Sequence, residues 1–186
     1  MKKAAFGIVL LFLLSGCANA RQDIDRAMEL RSGLLAGAGC DFRASITADY
    51  GDTIQSFTMD CRADELGNLS FTVTEPDSIA GITGKLSKDG GALTFDGTAL
   101  SVPMLADGQL APVSAPWVFL NTLRSGYLTS AGREEDLLRV SIDDSYEENA
   151  LQLDIWLNGE NLPVRGEILY DGRRILSLVV ENFRIR

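Results

Sequence analysis

Residues 40–49 read Cys-Asp-Phe-Arg-Ala-Ser-Ile-Thr-Ala-Asp, and this stretch decides the fold class. Its apolar positions alternate with charged or hydroxyl residues: Phe42, Ala44, Ile46 and Ala48. A β-strand points successive side chains to opposite faces, so the pattern predicts a strand that is dry on one face and wet on the other.

The same alternation recurs along the rest of the chain. Residues 138–143 and 151–158 are clear cases, and Asp171-Gly172 is typical of the turn of a closing hairpin. We count nine or ten such strands, with no regular alternation of strands and helices. The sequence therefore predicts a mainly β (α+β) fold, built on an antiparallel sheet of about ten strands with one apolar face.

Helical spacing marks the segment Gln22 to Leu35, which Gly37 and Gly39 follow. The apolar residues expected near one face of this helix are Ile24, Ala27, Met28, Leu34 and Leu35.

A second helix is predicted in the middle of the chain, after an apolar loop over residues 101–113 that contains Pro and Gly. Ser114 and Pro116 are typical of a cap and first turn, and Gly126 of an end. The apolar residues at near-helical spacing are Trp117, Leu120, Leu123 and Tyr127.

An antiparallel sheet with one apolar face must bury that face. We expect the sheet to curl and to be covered on its concave side by the two helices and the central loop. The candidate residues for a ligand site or lid are Met104, Leu105, Trp117, Leu120 and Leu123. They either line a pocket for acyl chains or simply plug the sheet, since apolar helical stripes are usually core.

Cys40 and Cys61 lie on two consecutive predicted strands. If Tyr50-Gly51 forms a two-residue loop, the two cysteines are directly opposite each other and form a disulfide. A register slip of two residues still leaves both thiols on the same face and within bridging range after a small adjustment. The alternative is a pair of buried free thiols.

The composition excludes several classes of function. Acidic residues outnumber basic ones 26 to 17, which gives a formal charge of -9 and disfavours nucleic acid as a partner. The chain contains no histidine, so Ser-His-Asp and Cys-His catalysis and His-ligated zinc are excluded. Acidic runs between residues 134 and 148 lack the spacing of a calcium loop. We expect no metal, no cofactor and no enzymatic activity.

The N-terminus resembles a bacterial lipoprotein signal. Lys2 and Lys3 precede an apolar run over residues 4–14, and Leu14-Ser15-Gly16-Cys17 follows. The resemblance implies that residues 1–16 are cleaved and that Cys17 carries lipid, which anchors the protein to the extracytoplasmic face of the cell membrane. Residues 17–21 are then a lipidated N-terminus and short tether, and residues 22–186 a single domain.

The arrangement of elements resembles the LolA/LolB superfamily of lipoprotein carriers, and is most similar to lipid-anchored Gram-positive members such as the clostridial germination lipoproteins. The likeness is closest in Val73-Thr74-Glu75-Pro76-Asp77-Ser78-Ile79-Ala80-Gly81-Ile82 and Leu93-Thr94-Phe95-Asp96-Gly97. It implies an incomplete barrel whose apolar concave face, under helical lids, accepts acyl chains or stays filled by the lids. It also implies an arginine on an early strand that helps to hold the lid. Arg43 lies on a suitable strand, but its alternation places it on the wet face.

Two functions remain open from the sequence. The first is a membrane-anchored lipoprotein that binds a hydrophobic ligand, either lipid or the acyl chain of another lipoprotein, in the curved sheet. The second is a non-catalytic accessory lipoprotein that binds a protein partner of the cell envelope, for example in spore germination or cell-wall processing.

Overall fold

The computed structural model describes residues 21–88, 90–95, 98–99, 105–108 and 110–186, with side chains undescribed over 90–99. The predictions for the leader, for Cys17 and for Met104 lie outside these residues. Helix α1 covers residues 21–36, and helix α2 is Ala115–Ser125. The strands are β1 Gly39–Asp49, β2 Ile54–Asp64, β3 Leu69–Glu75, β4 Thr83–Ser87, β5 Gly90–Phe95, β6 Thr98–Ala99, β7 Tyr127–Glu134, β8 Leu137–Asp143, β9 Gln152–Leu157, β10 Pro163–Tyr170 and β11 Arg173–Ile185.

The eleven described strands form one antiparallel sheet in the order β6-β5-β4-β3-β2-β1-β11-β10-β9-β8-β7. Each half of the chain is a meander of neighbouring strands, and the pairing of β1 with β11 joins the two meanders. The sheet is curved and not closed. Helix α1 precedes the first strand, and helix α2 lies between β6 and β7 along the chain. The predicted fold class is therefore confirmed.

Strand β1 shows why the sheet has two different faces. Its residues alternate between buried and half-buried along its length, and Ala44 and Ile46 are fully buried. Ile46 pairs with Phe57 on β2 and with Leu178 on β11, both of which are buried. The cross-strand pairs place their side chains on one apolar face, which becomes the inner face of the sheet.

Strand β9 departs from the predicted alternation. Asp154 and Trp156 lie on the polar face, yet both are buried. Ser141 and Arg139 donate hydrogen bonds to Asp154 at 2.5 and 2.6 Å, and Arg139 and Arg165 lie 5.4 and 4.2 Å from the Trp156 ring centre. Long arginine side chains thus cover this part of the polar face with their stems and stack on the indole.

The predicted apolar face of α1 is wrong in part. Its buried apolar residues are Ala27, Leu30 and Leu34, whereas Ile24, Met28 and Leu35 are exposed. Ala27, Leu30 and Leu34 follow a spacing of three and four residues and form one stripe of the helix. The three exposed residues form a second stripe beside it. This stripe is rotated around the helix axis by about the angle between two consecutive residues, so it points away from the sheet.

The central helix ends at Gly126, as predicted, but Tyr127 does not belong to it. Gly126 is the C-cap and has an extended backbone, and a Cβ there would be 2.7 Å from both the Asp143 and the Thr122 carbonyl oxygens. Tyr127 is therefore the first residue of β7 and not a member of the helical stripe, and its ring packs against Tyr146 on the surface. Strand β7 has weak alternation, which is why the sequence did not indicate it.

The predicted disulfide is not formed, and both cysteines are free and buried. The loop between β1 and β2 has four residues, 50–53, so Cys40 is opposite Ala63 and Cys61 is opposite Phe42. The thiols lie on the same face but on diagonal positions, which are typically about 7–8 Å apart with their Cβ atoms somewhat closer. A disulfide requires Cβ atoms about 3.5–4.5 Å apart, so the expectation that a register slip of two residues still permits a bridge is wrong for this structure.

Within the described residues, no helix combines the length and apolar character that a transmembrane segment requires.

Candidate functional site: the helix on the apolar face

Helix α2 fills the inner face of the sheet. Phe119, Leu120 and Leu123 are at most 1% exposed and belong to the same core as the inner residues of the strands. The sequence predicted Leu120 and Leu123 for this position. Of the other candidate residues, Leu105 is buried, and Trp117 is partly buried at the border of the core.

Phe119 makes a close contact between α2 and the sheet. Its ring centre lies 6.3 Å from that of Phe42, and a Cβ at position 166 would be 2.8 Å from its Cδ2 atom. The absence of a side chain at Gly166 on β10 provides the space for the ring. A glycine inside a strand often marks such a close approach.

The segment before α2 forms a tight turn. Leu105 and Leu110 pair through hydrogen bonds of 2.6 and 3.1 Å, while Ala106, Asp107 and Gly108 all have positive φ values. Two consecutive non-glycine residues in this region carry a conformational cost, so the surrounding contacts must hold the turn. Two short 3-10 turns, Ala106–Gly108 and Pro112–Ser114, lead the chain into α2.

One hydrogen bond connects this turn to the sheet. The Tyr170 hydroxyl donates to Asp107 Oδ2 over 2.9 Å, and the neighbouring carboxylate raises the pKa of Tyr170. Asp107 is exposed and Tyr170 is half-buried, and the hydrogen bond itself is accessible to solvent. We call it the Tyr170–Asp107 contact.

The C-terminal half of α2 is held by α1 through arginine side chains. Arg31 donates to the Leu123 carbonyl oxygen at 2.8 Å, and Arg124 donates to the Leu34 and Glu65 carbonyl oxygens at 2.7 and 2.8 Å. These bonds satisfy carbonyl groups near the ends of both helices. Burial lowers the pKa of Arg31. The two helices therefore form one connected cover over the apolar face.

Arg43 does not contribute to this cover. It lies on the polar face, as its alternation predicted, and forms ion pairs of 3.2 Å with Asp60 and with Glu75. Arg31 and Arg124, which join the two helices, lie on the helices themselves and not on an early strand.

The sequence matches no protein-family model and no curated protein. The structure is similar to a LolA superfamily protein from Nitrosomonas europaea, with 11% identity, a TM-score of 0.44 and coverage of 90% of this chain and 94% of that one. It is also similar to a putative outer membrane lipoprotein-sorting protein domain from Vibrio parahaemolyticus, with 9% identity, a TM-score of 0.46 and coverage of 90% and 94%. A third similar structure is the lipoprotein LppX from Mycobacterium tuberculosis, with 15% identity, a TM-score of 0.40 and coverage of 87% and 96%. The sequence resemblance named the superfamily to which the first of these belongs.

Proposed function

We propose that this protein is a membrane-anchored extracytoplasmic lipoprotein that binds a hydrophobic ligand, lipid or a lipoprotein acyl chain, on the inner face of its sheet when α2 moves aside. It binds and does not catalyse. The observation that carries the proposal is the placement of α2, an apolar helix that fills the face of an open curved sheet and follows a strained turn.

The energy balance supports an exchange between helix and ligand. Uncovering Phe119, Leu120 and Leu123 costs about 5–9 kcal/mol, at about 1.5–3 kcal/mol for each large apolar side chain. An acyl chain that takes their place gains about 0.8 kcal/mol per CH₂ group. About 6–11 methylene groups thus offset the cost, which is within the length of an ordinary fatty acyl chain.

Tryptophan fluorescence tests the proposal directly. The chain has two tryptophans, and only Trp117 belongs to α2. In a Trp156→Phe variant, titration with palmitic acid should shift the Trp117 emission, and the melting temperature should rise with saturation.

The Trp117→Phe variant is the matched control, because it retains only Trp156 between its two arginines on the opposite face. Its emission should stay constant while its melting temperature still rises. Unchanged fluorescence and melting in both variants, with palmitic acid and with phosphatidylglycerol, would show that α2 is a permanent plug.

A further inference from the structure

The polar face of the sheet contains a groove between β1, β2, β3, β4 and β11. Its volume is about 930 Å³, and a second hollow of about 700 Å³ continues it and shares Arg62, Ser70 and Lys85 with it. We call the two together the polar groove. Its charged side chains are Arg43, Arg62, Lys85, Arg184 and Arg186 and the carboxylates Asp41, Asp60 and Asp64.

The charge of the polar groove is opposite to that of the chain. Five cations and three carboxylates line it, and Glu75 pairs with Arg43, which leaves a net charge of +1 in a protein whose formal charge is -9. A concave surface with an excess of one sign of charge attracts ligands of the opposite sign. The groove is thus a local site for an anionic ligand on a protein that otherwise repels anions.

Several of these cations are not neutralised by neighbours. Within the described part of the chain, no carboxylate lies within ion-pair distance of Lys85 or Arg184, and both side chains are exposed. Arg62 is 3.8 Å from Asp41, a long contact, and its side chain is 68% exposed. These three cations are available to a ligand.

The shape of the groove fits an extended polypeptide. It follows the strand direction from Ala38, just before β1, to Arg43 on β1, and from Thr83 to Ser87 on β4. At about 3.3 Å per residue, this corresponds to about 13–17 Å, the length of four or five extended residues.

The distribution of charge selects among anionic partners. Asp41 faces Arg62 and Asp60 faces Arg43 across β1 and β2, so an anionic ligand must reach the cations one at a time. An extended chain can do this, because its alternate side chains face the groove about 6.6 Å apart, whereas a compact cluster of phosphates cannot. A flat membrane surface also cannot follow a concave groove. From these features we propose that the polar groove binds an extended acidic segment of a partner protein.

The groove is independent of the apolar site. It lies on the opposite face of the sheet from α2, so occupation of one site does not require a change in the other.

The groove also lies far from the start of α1. Ala38, two residues after the end of α1, lines the groove, whereas Asp23, near the start of α1, lies 3.8 Å from Arg133 on β7. The helix separates these ends by about 20 Å. An anchor that precedes residue 21 therefore leaves the groove open to a partner.

The test uses the whole purified chain and fluorescein-labelled hexaglutamate, with binding followed by fluorescence anisotropy at about 0.1 M ionic strength, where the screening length is about 10 Å. The unmodified protein should bind this peptide and not hexalysine, although its overall charge favours the opposite result. The Lys85→Glu/Arg184→Glu variant should bind hexaglutamate at least tenfold more weakly, and added salt should weaken binding by the unmodified protein.

The matched control is Arg173→Glu/Arg174→Glu, which makes the same charge change in exposed ion pairs outside the groove. Its affinity should stay within about threefold, because a general charge effect is screened over this distance. Equal losses in the two variants, or no binding by the unmodified protein, would overturn the proposal. The proposal would also be overturned if the protein bound phosphatidylglycerol vesicles through Lys85 and Arg184 and did not bind hexaglutamate. If the reversal variant has a lowered melting temperature, Lys85→Gln/Arg184→Gln replaces it and should still weaken peptide binding.

Discussion

The Phe119 ring occupies the space that a side chain at Gly166 would fill, with 2.8 Å between its Cδ2 atom and the position of a Cβ. This contact connects the centre of α2 to the centre of β10. Any side chain at position 166 must displace the ring, because a Cβ essentially never approaches a carbon this closely.

Gly166→Ala should therefore weaken the attachment of α2 to the sheet. We expect a loss of about 1–3 kcal/mol in the free energy of unfolding, typical of overpacking, and tighter binding of palmitic acid because α2 is easier to displace. Denaturant unfolding and ligand titration measure the two effects. Gly132→Ala on β7 is the control, since nothing lies within 4 Å of its Cβ position. A stability loss without any gain in affinity would indicate a plug.

Leu120→Ala and Leu123→Ala should each destabilise the fold by about 2–5 kcal/mol, because both side chains are fully buried. Val118→Ala on the same helix should cost much less, since this residue is only partly buried. Urea unfolding measures all three. Similar small losses in the three variants would mean that α2 is not packed on the sheet in solution.

Tyr170→Phe removes the hydroxyl that donates to Asp107 and should loosen the turn before α2. Because the contact is exposed, we expect only about 0.5–1 kcal/mol of lost stability. Palmitic acid should associate faster, as measured by stopped-flow Trp117 fluorescence in the Trp156→Phe background. Asp107→Asn retains an acceptor at the same position and should have a smaller effect. An unchanged association rate in Tyr170→Phe would remove the Tyr170–Asp107 contact from the opening step.

The two thiols should be free but slow to react. Burial raises the pKa of Cys40 to about 12 and that of Cys61 further, so little thiolate is present at neutral pH. In a Cys17→Ala chain without reductant, a thiol reagent should label no cysteine rapidly in the native state and two in urea. Absence of labelling in urea would show that the pair is oxidised.

The same shifts predict a loss of stability at alkaline pH. Folding raises both thiol pKa values, so their contribution is complete below the unfolded value near 8.5. It decreases as the pH rises from there toward the folded values, because only the unfolded chain releases these protons. Unfolding free energies between pH 8 and 10.5 should decline less steeply in Cys40→Ala/Cys61→Ala. Parallel slopes in the two proteins would contradict the shifts.

The proposed anchor is tested by Cys17→Ala, which should release the protein from the membrane fraction, because lipid attachment at this residue is its only proposed means of retention. Cell fractionation and acyl labelling measure the outcome, with Cys40→Ala as the control that should remain attached. Continued acyl labelling of the Cys17→Ala chain would contradict lipidation at this position.

The sequence predicted the helices and strands better than it predicted how the strands pair and which contacts they make. Alternation identified β1 and β9 because each has a dry inner face, and helical spacing identified α2 through Leu120 and Leu123. The β1–β2 register was missed because Tyr50-Gly51 looked like a complete two-residue loop, whereas the Tyr50 amide donates to the Thr53 carbonyl oxygen across a four-residue one.

No local sequence pattern could predict the polar groove. Its cations lie between positions 43 and 186, on strands that become neighbours only when the sheet is assembled. Single charged residues on the wet face of a strand carry no signal of a site. The groove forms because the long-range topology makes these strands neighbours, and the spacing of residues within one strand does not indicate which strands are neighbours.

The pairing of β1 with β11 also determines how the chain must assemble. Each meander closes by hairpins between strands adjacent in sequence, whereas Cys40 meets Ile185 across almost the whole chain. Closing so large a loop costs more entropy than closing any hairpin, so we expect the β1–β11 pairing to form after the meanders and to limit the folding rate. Until it forms, each meander would expose an unpaired edge strand, a state prone to domain swapping and aggregation. We therefore expect the middle of the sheet to be the last part of the molecule to fold.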